Sequence, residues 1–168
     1  MIFGDKQIFA IEIQDLDSKK MKSKLRLWFK NESAGIMKVN FTLSYAIKTF
    51  EDLLTKGDEF YDEDFNGMNE RQIFKYCFLL GKSLDDWNQS DYAKFEKYKR
   101  FSPYFGDQLD TVTKIIYIKE GYLTFIWSEN TNYYKPTVDY MKNLKDATVS
   151  VEYFRKVVLD FLEYVRGQ

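Results

Sequence analysis

Histidine is missing from all 168 residues. That excludes Ser-His-Asp and Cys-His catalysis, histidine-ligated metals and the commonest general base near neutral pH. There is one cysteine, Cys77, so neither an internal disulfide nor a thiolate zinc cluster can form, as expected in a reducing compartment. Among its neighbours Phe74, Phe78, Leu79 and Leu80, Cys77 reads as a small buried apolar residue. Only eight glycines are present, and they form no G-x-G-x-x-G, no Walker-type loop and no nucleophile elbow, which removes the usual support for a phosphate or nucleotide cradle. No stretch reaches the ~20 apolar residues that span a bilayer. The start, MIFGDKQIFAIE, lacks a basic segment followed by a long apolar core. A cytoplasmic location is therefore expected, with no membrane partner and no cofactor.

What is abundant is aromatic. Fifteen Phe, thirteen Tyr and three Trp, with 45% hydrophobic against 30% charged residues, describe a chain that folds rather than one that stays disordered. A chain of this length buries roughly two thirds of its unfolded surface without disulfides or metals. One domain spanning residues 1–168 is expected.

Two half-buried strands are legible at once. Gln7 to Gln14 alternates with Phe9, Ile11 and Ile13 on one face, and Ser23 to Lys30 sets Leu25, Leu27 and Phe29 against Lys24, Arg26, Trp28 and Lys30. NESAG at 31–35 reads as a turn, and Ile36 to Phe41 as a third strand. A helix follows, with Leu43, Ala46, Ile47, Phe50, Leu53 and Leu54 on its apolar face, Thr42 to cap it and Gly57 to end it. A second helix starts at Asn69, where Gln72 is placed to reach back in a capping box, and buries Ile73, Phe74, Cys77 and Leu80. A third runs from Ser90 to a point before Pro103.

In the second half, Lys114 to Lys119 and Tyr122 to Ser128 form a hairpin around Glu120-Gly121, and Thr137 to Lys142 supplies a further strand. Ser150 opens a terminal helix with Val151, Phe154, Val158, Phe161, Leu162 and Val165 inward. The fold class is α+β, with antiparallel sheet packed against helices. A shift of 108 positions pairs the first and last helices, with Tyr45 on Tyr153, Lys48 on Lys156 and Asp52 on Asp160. That fits a duplicated strand-strand-strand-helix unit with a central helical insertion, and equally two amphipathic helices slid into register.

The most obvious chemical feature is EFYDEDFNGMNE, residues 59–70. Numbered as a calcium loop from Asp62, it has Asp64, Asn66 and Gly67 in place, but its twelfth position is Ile73 rather than a bidentate glutamate. A metal site is therefore not expected. Two readings stay open for the run. Gly57, Asp58, Asn66 and Gly67 suit a solvated linker between helices. Alternatively, eight carboxylates and one cation, Lys56, between Glu51 and Glu70 in a chain of net charge −1 form a patch that steers a basic partner. In that reading Asp58, Glu59, Asp62, Glu63 and Asp64 carry the charge, and Phe60, Tyr61 and Phe65 anchor the contact.

Opposite in sign are Lys20, Lys22, Lys24 and Arg26, beside Trp28, and KFEKYKR at 94–100. They read either as a charged outer face or as a single-stranded nucleic-acid surface. The pI of 5.6 argues against a dedicated nucleic-acid binder.

The opening Met1-Ile2-Phe3-Gly4-Asp5 with Phe9-Ala10-Ile11-Glu12 resembles the start of the bacterial immunity protein 42 family. The Leu25-x-Leu27-Trp28-Phe29 strand, Arg71, the D-D-W-N at 85–88 and the F-I-W at 125–127 are similar to the same pattern. Lys6 stands where a proline is expected in many relatives, so the turn there is expected to differ. The resemblance implies a protein that accompanies a polymorphic toxin, as in contact-dependent growth inhibition, and that binds and blocks this cognate toxin domain in the cytoplasm of the producing cell. The residues add that a catalytic function is not expected, and that an acidic, aromatic surface suits a basic, nuclease-like toxin.

Overall fold

A tight turn in which Lys30 and Asn31 both take positive φ (50° and 65°) converts the alternating strand before it into a hairpin. Two such residues match the right-handed twist of paired strands, and asparagine tolerates that conformation better than most side chains. The computed structural model describes residues 1–78, 84–129 and 141–167. Its first sheet contains β1 (Ile2–Asp5), β2 (Phe9–Asp17), β3 (Lys22–Phe29) and β4 (Glu32–Ala34), paired in that order, with β5 (Phe41–Thr42) also on β3. All pairings are antiparallel.

NESAG is thus a turn only at its first residue, and its Glu-Ser-Ala is a strand. The third strand expected over Ile36 to Phe41 shrinks to β5. Gly35 has a φ of 113°, which turns the chain out of the ladder, and the Ile36 N–H donates to the Gln108 carbonyl at 2.8 Å instead of to a strand. A Cβ at Gly35 would meet the Leu25 and Gln108 carbonyls at 3.2 and 3.3 Å, so the close approach itself requires glycine.

From β5 the chain enters α1 (Ser44–Thr55). Thr42 does not cap it: Leu43 occupies the cap position with no side-chain hydrogen bond, and its N–H is taken by the Met21 carbonyl at 2.8 Å. Next come α2 (Glu70–Cys77) and α3 (Gln89–Tyr98). The capping box expected at Asn69 and Gln72 is present, with both bonds at 2.9 Å. Asn88 and Asp91 build another ahead of α3. Leu80 lies outside the described residues.

The second sheet is β6 (Val112–Lys119), β7 (Tyr122–Glu129) and β8 (Lys145–Ser150), antiparallel in that order. Glu120 (φ 51°) and Gly121 (φ 80°) make the expected hairpin turn. Of the strand expected at Thr137 to Lys142, all but the last two residues lie outside the described residues, and those two form no strand. Among the described residues the strand that follows β7 is β8. Ser150 caps α4 (Val151–Arg166) by accepting from the Tyr153 N–H.

The core lies between the inner faces of the two sheets, with α1 and α4 closing it. Phe29 of the first sheet stacks on Phe125 of the second with centroids 4.6 Å apart. Phe9 meets both Phe29 (4.9 Å) and Phe154 of α4 (5.1 Å), and Phe50 of α1 meets Phe161 at 5.6 Å. On the far side of β6 and β7, Ile73, Phe74 and Cys77 of α2, with Phe65, Tyr98 and Phe101, bury Ile115, Tyr117 and Ile126. The first sheet therefore has one covered face and alternates; the β6–β7 hairpin has two and reads as nearly continuous apolar runs.

The order β6-β7-β8-α4 supplies one strand-strand-strand-helix unit, but five strands precede α1. The topology therefore does not establish a duplication. α2 and α3 lie between α1 and β6 in chain order.

Of the two buried charged side chains among the described residues, Glu12 and Lys114, only the lysine lacks an ion pair. Lys114 on β6 is 6% exposed, and its ammonium reaches only the Leu109 and Val112 carbonyls, at 3.4 and 3.3 Å. Burial pushes its pKa down to about 8, against 10.5 ordinarily. Between those two values the unfolded chain holds the proton and the folded one does not, so stability rises with pH across that window. Lys114→Met is expected to stabilise the fold by about 2 kcal/mol at pH 7. Its advantage over wild type should vanish above about pH 10.5. Urea melts of both proteins at pH 7, 9 and 10.5 check this; an equal gap at every pH would refute it.

Candidate interaction surfaces

The acidic run follows α1 as two short helical turns, Gly57–Phe60 and Glu63–Phe65. Its aromatic residues do not present a common surface. Phe60 is 8% exposed and packs in the main core, and Phe65 is 3% exposed and lies against Phe101 and Tyr117 at 4.8 and 5.8 Å. Both are therefore withdrawn as surface anchors: in turns this short, every second or third residue must face the sheet, and the large apolar ones do. Tyr61 is half-buried, its hydroxyl donating to Asn66 Oδ1 at 2.6 Å.

Two of the five carboxylates are held internally. Asp62 pairs with Lys97 at 3.1 Å and Arg100 at 2.9 Å, and accepts the Asp64 N–H. Asp64 pairs with Lys97 at 2.9 Å and accepts the Tyr98 hydroxyl. The Tyr98 hydrogen bond, then Lys97, hold the Asp64 carboxyl below its ordinary range. Hydrogen bonds to Tyr98 and to both aspartates raise the Lys97 ammonium. Burial, then the bond to Asp64, raise the Tyr98 hydroxyl. The acidic run and the basic KFEKYKR segment thus neutralise one another and strap α3 over β6. The Asp62 and Asp64 positions of the calcium-loop reading are filled by Lys97, and α2 begins inside that loop.

What remains free is smaller. Asp58, Glu59 and Glu63 are exposed and form no ion pair among the described residues. Glu51 is paired with Arg166 and Asp52 with Lys56. At the other end of α1, Tyr45 (50% exposed) and Tyr104 (43%) meet edge-to-face at 5.0 Å. Beside them stand Asp107, which accepts the Tyr104 hydroxyl, and Asp110. Burial, then repulsion by Asp107, raise the Asp110 carboxyl. No sequence pattern links Tyr45 to Tyr104; the Thr49 hydroxyl, donating to the Tyr104 carbonyl at 2.6 Å, brings the two segments together.

Cys77 is buried, with its thiol pushed up to about 12 by burial, and therefore carries no thiolate at neutral pH. It borders a cleft of about 220 Å³ with Phe78, Phe95, Tyr98 and Ile115. The basic strand forms the outer face of the first sheet, where Trp28 donates its indole N–H to Glu12 at 2.7 Å.

Asp62 is the centre of the strap, its side chain 10% exposed. Asp62→Asn leaves two cations facing a neutral group and is expected to cost about 1–3 kcal/mol at pH 7. Because Asp64 has a lowered pKa, its share of the strap's stabilisation is complete above the unfolded carboxylate value and disappears as pH falls through the folded one. Denaturant melts test both statements: Asp62→Asn should lose stability at pH 7, and the deficit of Asp64→Asn at pH 7 should shrink as the pH is taken down through the acid range.

The fold is shared with a solved structure. CdiI from Burkholderia dolosa AUO158 superposes with a TM-score of 0.64 at 14% identity, over 98% of this chain and 99% of that one. No curated protein matches the sequence. No helix among the described residues is long and apolar enough to cross a membrane. The model of the immunity protein 42 family matches residues 1–164 of this chain, which therefore belongs to that family.

Proposed function

We propose that this chain, acting as one domain over residues 1–168, is a cytoplasmic immunity protein without catalytic activity. It binds a cognate antibacterial toxin domain, basic and nuclease-like, and covers the toxin's active site or substrate surface. Family membership supports the immunity function, and the B. dolosa CdiI, a protein of similar fold, bears the name of a contact-dependent growth inhibition immunity protein.

The observation that carries the choice of a basic partner is the set of carboxylates left unpaired once the internal strap has taken its share: Asp58, Glu59 and Glu63. They steer a cationic partner, with half-buried Tyr61 among them. Asp62 and Asp64 contribute field but are already hydrogen-bonded. The anchoring first assigned to Phe60 and Phe65 passes to Tyr45 and Tyr104, exposed, rigid and flanked by Asp107 and Asp110, the kind of side chain that dominates interface energetics.

A tagged copy recovered from its native host tests the reading. A stoichiometric basic toxin domain whose activity disappears on binding is expected. Asp58→Asn/Glu59→Gln/Glu63→Gln should slow association several-fold at low salt and flatten its salt dependence. Tyr104→Ala should speed dissociation by about tenfold or more. Recovery of nucleic acid without a protein partner would overturn the reading.

A further inference from the structure

The period-2 alternation of the first sheet leaves one face over which no helix or sheet of the described residues is layered. Ala10, Glu12 and Gln14 of β2 and Lys22, Lys24, Arg26 and Trp28 of β3 lie on it by register, with Ile2 of β1 and Ser33 of β4 beside them. Neither hydrophobic cluster takes a residue from this set.

The face is built rather than merely charged. Glu12, 8% exposed, accepts from the Trp28 indole at 2.7 Å, Gln14 at 3.1 Å and Lys6 at 3.2 Å. Burial raises its carboxyl, but the hydrogen bonds from Trp28, Lys6 and Gln14 outweigh that, and it titrates below its ordinary value. The Lys6 ammonium lies 3.9 Å from the Trp28 ring centre and the Arg26 guanidinium 5.3 Å. Trp28 is thus locked in place before any partner arrives, which lowers the entropy cost of using it in an interface.

The local anions are already engaged: Glu12 by its three donors, Asp15 by Lys24 at 2.6 Å, and Asp17 by Lys20 at 3.7 Å. The cations that pair with them outnumber them. Arg26 comes within 3.7 Å of Glu12 through its shielded Nε, too far for a hydrogen bond, and its terminal guanidinium nitrogens form no hydrogen bond among the described residues. Lys22 is exposed and has no ion pair among the described residues. Five cations (Lys6, Lys20, Lys22, Lys24, Arg26) thus face three anions (Glu12, Asp15, Asp17).

We propose that this face docks an acidic segment of a protein partner, with Arg26 receiving one of its carboxylates and Trp28 supplying the apolar contact. The guanidinium fork suits a carboxylate in bidentate geometry, and a Trp beside an Arg is the composition of an interface hot spot. A nucleic-acid strand fits less well. A phosphate track, with a charge at every nucleotide, would have to pass over ionised Glu12, which a single carboxylate received by Arg26 need not. The proposal stands apart from the toxin-binding reading, because the acidic ridge packs beside β6 of the other sheet.

The full-length protein at pH 7 and 50 mM NaCl, observed by amide and indole NMR, is titrated with a ten-residue glutamate peptide and with a ten-nucleotide oligothymidine. The peptide is expected to shift amides 10–14 and 22–28 and the Trp28 indole N–H. Arg26→Gln should weaken its binding about tenfold. Lys22→Gln, at an exposed position, should weaken it a few-fold. Lys156→Gln, the same charge change on exposed α4, should leave it within twofold. Peptide shifts elsewhere, equal loss in Arg26→Gln and Lys156→Gln, or tighter oligothymidine binding at these same residues would each overturn the proposal. None of these outcomes bears on whether neutralising Asp58, Glu59 and Glu63 weakens toxin binding.

Discussion

The β6–β7 hairpin is buried on both faces, and most of the architecture answers to that constraint. One face supplies Phe125 and Trp127 to the core shared with the first sheet, α1 and α4; the other supplies Ile115, Tyr117 and Ile126 to the layer formed by α2 and α3. A strand pair of this kind needs a cover on each side, because exposed Ile, Phe and Trp side chains lose roughly 25 cal/mol for every Å² left in water. The first sheet provides one cover through the Phe29–Phe125 stack. The helical insertion provides the other, and it must be held down by something.

The strap of Asp62 and Asp64 on Lys97, Arg100 and Tyr98 does this, and it divides the charges of the chain into two populations. Charges within the strap, like the Glu51–Arg166, Asp52–Lys56 and Glu32–Lys145 pairs, are committed to the fold. An acidic ridge of Asp58, Glu59 and Glu63 and a cationic sheet face around Arg26 and Trp28 lie outside the strap. A chain of net charge −1 is therefore strongly polarised at its surface. Opposite patches on one small protein orient an approaching partner as well as attracting it.

Much of the fold was legible in the residues. The apolar stripe from Ala46 to Leu53, the capping box at Asn69, the Glu120-Gly121 turn and the Ser150 cap all depend on groups within a few positions of one another, and each appears in the structure. β1, β4 and β8 are not legible in the residues. Each is a short strand at or near a sheet edge, whose pairing is decided by its neighbour rather than by its own pattern. Phe60 and Phe65 looked like anchors because composition records that an aromatic residue is present but not which way a turn points it.

The sequence by itself determined the fold class, the helices, the Glu120-Gly121 hairpin and the absence of histidine- or thiolate-cluster-based chemistry, because periodicity, capping and composition act over a few residues or over the whole chain at once. Only the tertiary structure decided which charges are free. Asp62 meets Arg100 across 38 positions, Asp64 meets Tyr98 across 34 and Trp28 meets Glu12 across 16. Whether a carboxylate is neutralised at home or offered to a partner depends on distances of a few ångströms, set by sheet register and helix packing rather than by spacing along the chain.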